Sequence, residues 1–264
     1  MKNKKLAALA SLLIASVLLL SACAAAIPAN AVFSLDDLPG KKIGVQQGTT
    51  GAIYAEDYTE LGSTVEQYTK TTDAIQALKQ GKIDCVILDN APAQVYVSQN
   101  SDLTLLSDPF AVEDYAICLS KENAELGGAI NDALAALKAD GTITSILANY
   151  IGDAAGQTPY VSSNADFSGG KLVMATEATF PPYEYYEGEK VVGIDVDIAQ
   201  AVADLLKMEL TVEEMAFDSI IPAVQSGKAD IGAAGMTVSP DRLLEVDFTD
   251  SYATGTQVVI VRAK

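Results

Sequence analysis

A ten-residue pattern occurs twice in this chain, as IQALKQGKID at 75–84 and as IPAVQSGKAD at 221–230, with five identities at a spacing of 146 positions. Each copy ends an amphipathic stretch at a glycine, Gly81 or Gly227, the residue type that closes a helix in the left-handed region. Each is followed by an apolar run, CVIL at 85–88 and IGAA at 231–234, of the length and composition of a buried strand. The same helix, stop and strand are therefore built twice. Two similar α/β lobes with a cleft between them are the expected architecture.

The first 22 residues form a targeting segment. Lys2, Lys4 and Lys5 supply a basic start, and the apolar run at 6–20 is too short to span a bilayer. The run ends in LSAC at 20–23, which resembles a bacterial lipobox and implies an acylated Cys23, a tether at 23–33 and a protein held on the outer face of a membrane. Removal of the leader takes the net charge from −18 to −21, which argues against nucleic acid and against a basic membrane patch as partner. There is no histidine, so imidazole bases, Ser-His-Asp triads and Cys-His pairs are absent. Cys85 and Cys118 sit in apolar runs, where they read as small buried hydrophobes; no metal site and no cofactor are expected.

Between residues 34 and 114 the pattern alternates strands at 42–45, 64–68 and 85–88 with helical stretches from Ala52, at 72–80 and at 90–98. A strand at 114–120 and two helices within 124–150 follow. Composition then shifts to Gly, Ser, Ala, Asn and Thr over 153–170, a linker. A second α/β unit starts with a strand at 171–175 and continues through an aromatic loop, a helix at 195–207, a strand near 210–212, the second repeat and a strand at 257–262.

Three loops carry candidate chemistry. In TVSPDR at 237–242, Ser239 is suited to cap a helix, Pro240 to open it, and Arg242 to grip a carboxylate bidentately, with Thr237 adding a donor; a surface pairing of Arg242 with Glu245 is the alternative. The loop QQGTTG at 46–51 places Thr49 and Thr50 where a strand turns into a helix. Asp89 stands at a strand's carboxyl end, where open α/β sheets hold ligands, although an aspartate there also serves as a helix cap. Phe180, Phe217 and Glu177 complete the set, whereas Tyr183, Tyr185 and Tyr186 read as core packing.

Five blocks, TEATFPPYEYYEGEKVVGIDVDIAQAVADLL at 176–206, FDSIIPAVQSGKADIGAAGMTVSPDR at 217–242, VDFTDSYATGTQVVIV at 246–261, DDLPGKKIGVQQGTTG at 36–51 and ILDNAPA at 87–93, resemble the amino-acid-binding lipoproteins of ABC importers. The resemblance implies the type II periplasmic-binding-protein fold, with a ligand cleft between its lobes. The order of blocks departs from the family's, in which the aromatic block comes first and VDFTDSYATGTQVVIV runs on into DDLPGKKIGVQQGTTG. The chain thus resembles a circular permutant closed by the 153–170 linker. Its lobes are expected at 34–114 and 115–264, the latter including hinge strands near 115–120 and 257–262 that lie side by side.

By the same resemblance Arg242, Thr237 and the Thr49–Thr50 region hold a ligand α-carboxylate, while Asp89 and the Gly235 carbonyl take the α-ammonium. Phe180 and Phe217 flank the side chain, and Glu177 faces its far end, which favours a cationic or polar amino acid. The implied protein is an extracytoplasmic, lipid-anchored monomer that delivers a free amino acid to an ABC permease and is no enzyme. The same fold resembles cyclohexadienyl dehydratases and the ligand-binding portions of receptors, the two competing classes.

Overall fold

In the computed structural model, which describes residues 27–109, 111–162 and 165–263, both copies of the repeat build the same corner. Gly81 and Gly227 take φ of +70° and +71°, and the chain turns back through Lys82 and Lys228, whose amides bond to Ala77 and Ala223. The aspartate that ends each copy then pins the first strand of its own unit. Asp84 accepts from the Lys42 amide at 2.9 Å and donates its own amide to the Lys42 carbonyl. Asp230 does the same with Val173, its carboxylate accepting at 2.7 Å. The leader at 1–22 and Cys23 lie outside the described residues.

The first unit runs β1 (Lys42–Gln46), α1 (Thr50–Glu56), β2 (Thr64–Tyr68), α2 (Thr71–Lys79), β3 (Cys85–Asp89), α3 (Asn90–Gln99), β4 (Leu103–Leu105) and β5 (Ala111–Tyr115). The chain then enters β6 (Cys118–Leu119), α4 (Ala124–Ala139) and α5 (Thr142–Tyr150). Beyond the linker come β7 (Gly170–Thr176), β8 (Thr179–Phe180), β9 (Glu184–Glu187), β10 (Lys190–Val192), α6 (Ile194–Leu205) and β11 (Met208–Glu214). The remainder is α7 (Ile220–Gln225), β12 (Ile231–Gly232), α8 (Pro240–Glu245), β13 (Asp247–Phe248) and β14 (Ala253–Arg262).

Two sheets result. One has the order β2-β1-β3-β14-β4, with β5 also on β14; the other has the order β11-β7-β12-β6-β13. In the first, Ile43, Val45, Cys85, Ile87, Val259 and Val261 pack to one face and Val86, Leu88, Val258 and Ile260 to the other, the two-sided burial of a sheet covered by helices. The β14 strand, expected with the second unit, pairs with β3 over Gln257–Val261 and with β5 over Ala253–Gln257 and so belongs to the first sheet. The chain crosses between sheets at residues 116–117, inside the expected hinge strand at 115–120 and just before Cys118 and Leu119 pair with β12 and β13, and at 249–252, before the expected strand at 257–262.

Three other expectations change. The second repeat's strand is only two residues long, since the chain bends at Ala234 and Gly235. The aromatic loop contains a three-stranded antiparallel sheet, β10-β9-β8. Burial falls away along β9, so Tyr183 just ahead of that strand is buried while Tyr186 is 51% exposed and is no core residue. The linker is docked rather than loose: Tyr160 and Ser162 donate to Asp204 on α6, and Asp166 pairs with Lys207 at 2.9 Å.

Candidate functional site

The carboxyl ends of β1, β3, β7 and β12 converge on one pocket between the two sheets. All nine residues singled out as ligand contacts line it: Thr49, Thr50 and Asp89 from the first unit, and Glu177, Phe180, Phe217, Gly235, Thr237 and Arg242 from the second.

Ser239 caps α8 by accepting from the Arg242 amide at 3.3 Å, and Pro240 occupies the first turn. Capping turns the Arg242 side chain inward, where it is 7% exposed. Its Nη1 donates to the Thr237 carbonyl at 2.8 Å, and its Nη2 to the Gly48 carbonyl at 3.0 Å, in the other unit. The guanidinium lies 5.3 Å from the centre of the Phe217 ring, a cation–π contact. These partners replace the surface pairing with Glu245. Burial pulls the guanidinium below its usual pKa, opposed by the carboxylates of Glu113 and Asp89, but such a group stays protonated.

Asp89 occupies the capping position of α3, yet its carboxylate makes no cap; it accepts the Tyr115 hydroxyl instead. Burial pushes its carboxyl up to about 7, with the charge of Glu113 adding to the rise and the Tyr115 hydroxyl opposing it. Glu177, 1% exposed, follows β7 and accepts the Thr179 hydroxyl on both oxygens, at 2.7 and 2.9 Å. Its carboxyl is also raised by burial. One cavity therefore sets a buried guanidinium from one unit against buried carboxyls from both.

The loop at 233–237 is held by a special glycine. Gly235 has φ of +53°, and a Cβ there would lie 2.6 Å from the Phe180 ring. Its amide donates to Asp195 at 2.7 Å. Asp195 and Glu184 are buried near each other and near Tyr252. Burial raises both carboxyls, Asp195 to about 6 and Glu184 well above the usual range, so the pair retains a proton.

Thr49 caps α1, its hydroxyl accepting from the Ala52 amide and donating to the Gln46 carbonyl at 2.8 Å. Three further residues were not singled out from the sequence. Gln46 and Ala234 line the cavity. Glu113, 4% exposed on β5, sits behind it and accepts from Thr50 and Thr237 at 3.1 Å each, from Gln257 at 2.8 Å and from Tyr54 at 2.9 Å. In sequence Glu113 belongs to a charged stretch, VEDY, that resembles an exposed edge; only its four distant partners distinguish it. Cys85 and Cys118 are free and buried, and burial raises both thiols to about 12. Among the described residues, no helix is long and apolar enough to cross a membrane.

Comparison with known proteins adds a partial likeness. The arginine-binding extracellular protein ArtP of Bacillus subtilis (strain 168) is 41% identical over 101 residues, 38% of this chain and 40% of that protein. ABC transporter arginine-binding protein 1 of Escherichia coli (strain K12) is 36% identical over 93 residues, 35% of this chain and 38% of its own length. An ancestral arginine-binding protein solved with arginine is 45% identical over 31% of this chain and 36% of that one, at a TM-score of 0.29. The chain spans about two fifths of the length of the curated relatives it matches. Its residues 172–264, which hold Glu177, Phe180, Phe217, Gly235, Thr237 and Arg242, match the model of the bacterial extracellular solute-binding proteins, family 3.

Proposed function

We propose that the protein is an extracytoplasmic solute-binding protein that captures a cationic or polar amino acid and delivers it to the permease of an ABC importer. The observation that carries this reading is the single cavity in which Arg242 of one unit faces Asp89 of the other. Arg242 takes the α-carboxylate, and Asp89 with the Gly235 carbonyl takes the α-ammonium. Phe180 and Phe217 flank the side chain. A zwitterion held at both poles contacts both charges only when the cleft is closed, so it shifts the open–closed population by its differential affinity.

The charge count favours a cation. Asp89, Glu113 and Glu177 outnumber Arg242 among the buried charged groups at the cavity and just behind it. An α-ammonium can neutralise only one of those acids, and Glu177 stands apart from it on the β7 side. A guanidinium or ammonium at the far end of the ligand satisfies that carboxylate. Similarity to arginine-binding relatives supports the same choice. The protein acts as a monomer without a catalytic step, and acylated Cys23 holds it at the outer membrane face.

The permuted block order belongs to the same reading. Its support is the membership of β14 in the sheet of residues 42–115. A chain started at Lys171 and joined from residue 263 to residue 34 folds with the same ligand profile on this account. Melting of the mature protein against the twenty amino acids tests the function: arginine or lysine raises the transition by mass action. A flat panel contradicts it.

A further inference from the structure

Glu113 has no place in the contacts assigned to the ligand, yet it organises them. Its Oε2 accepts from the hydroxyls of Thr50 and Thr237, both of which line the cavity, and from the amide of Gln257. Its Oε1 accepts from Tyr54, one helical turn beyond Thr50 on α1. A carboxylate can only accept, and a threonine hydroxyl has one proton to give. Both hydroxyl protons are therefore directed away from the cavity. Thr50 also accepts from Gln257 at 3.4 Å, which leaves it one lone pair; Thr237 keeps two.

Resting on the amino-acid reading of the cavity, we propose that Glu113 is a positioning residue that sets ligand selectivity by turning Thr50 and Thr237 into hydrogen-bond acceptors. With their protons committed, the two hydroxyls offer lone pairs to the N–H groups of a ligand and none of the donors that a carboxylate needs. Carboxylate recognition is left to Arg242 and main-chain amides. The charge of Glu113, close enough to act on both Arg242 and Asp89, acts in the same direction by favouring cations. Its effect on the ligand is exerted through the threonines, since Glu113 does not itself line the cavity.

Glu113→Leu tests this with a side chain of similar size that has no acceptor. Thr50 and Thr237 lose the oxygen that takes their protons, and both hydroxyls are free to donate toward the cavity. Calorimetry is run with three probes on the mature protein and on the variant: L-arginine, agmatine, which lacks the carboxylate, and 5-guanidinopentanoate, which lacks the α-ammonium. The inference expects L-arginine and agmatine each to weaken about tenfold or more, as for loss of a charge-assisted hydrogen-bond arrangement, and 5-guanidinopentanoate to weaken less than about threefold. Equal loss with all three probes marks a merely structural role and overturns it. Loss confined to the two carboxylate-bearing probes overturns it as well, by making the hydroxyls donors. Wild-type protein that binds neither L-arginine nor any other amino acid refutes the reading of the cavity itself, a result separate from either of these. Thr237→Val serves as the second variant: retained folding with the same ordering of the three probes supports the inference, and an unchanged L-arginine affinity contradicts it.

Discussion

The Nη2 of Arg242 donates to the carbonyl of Gly48 at 3.0 Å, joining α8 of one unit to the β1–α1 loop of the other. Gly48 holds φ of +78° at this turn, so its carbonyl direction is set by a backbone state that other residues rarely adopt. The side chain assigned to the ligand carboxylate is thus also a bridge between the lobes. On the proposed reading, ligand capture and lobe closure act through one guanidinium.

Asp89 makes binding pH-dependent. Its carboxyl, pushed to about 7 by burial, must be ionised to hold an ammonium. Affinity for L-arginine falls as the pH drops through that value, approaching about tenfold per unit well below it. Calorimetry in buffers of different ionisation enthalpy reads the accompanying proton release; binding that is indifferent to pH and buffer contradicts the assignment.

The ligand-free protein follows the opposite trend. Asp89 and Asp195, raised to about 7 and about 6, and Glu184, raised well above the usual range, bind protons in the fold that the unfolded chain holds only under more acid conditions. Raised carboxyls contribute stability that is present below the unfolded value, near 4, and lost as pH rises through 6 and 7. The melting temperature therefore increases between pH of about 8 and about 5. Asp37, Asp140 and Asp166, whose values are lowered by hydrogen bonds, act in the reverse sense only in more acid solution.

Glu177→Gln separates side-chain recognition from recognition of the two poles. L-arginine loses about tenfold or more in affinity, while L-glutamine stays within about threefold, because only the first presents a cation to that carboxylate. Parallel titrations of both amino acids read the difference; equal losses assign Glu177 to the structure rather than to selectivity.

The two copies of the repeat make matched stability predictions. Asp84→Asn and Asp230→Asn each remove a carboxylate that accepts from a strand amide, a charge-assisted bond worth about 1.5–3 kcal/mol when shielded. Urea unfolding reads the larger loss at Asp230, whose bond is partly buried, than at Asp84, whose bond is exposed. A neutral Asp230→Asn contradicts the shared pinning role.

Local chemistry made much of this legible in sequence. Gly81 and Gly227 mark their helix ends because few other residues take positive φ, and Ser239-Pro240 marks a helix start that aims Arg242 inward. The cavity residues were legible as blocks that stand at the carboxyl ends of strands. What could not be read were relations with no local signature. Glu113 becomes a hub only through Thr50, Tyr54, Thr237 and Gln257, drawn from two other elements and a loop. The transfer of β14 to the first sheet depends on pairing with β3 and β5, more than 130 residues earlier in the chain. The β8–β10 hairpins were hidden by aromatic residues that suit a ligand loop as well as a strand.

The most direct test is calorimetric titration of L-arginine into the mature protein and into Arg242→Ala, with the thermal transition of each recorded alongside. Loss of the guanidinium leaves the ligand carboxylate desolvated and unpaired, which costs about 2–5 kcal/mol, or roughly 30-fold or more in affinity, while the fold is retained. Full-strength binding by a folded Arg242→Ala contradicts the account.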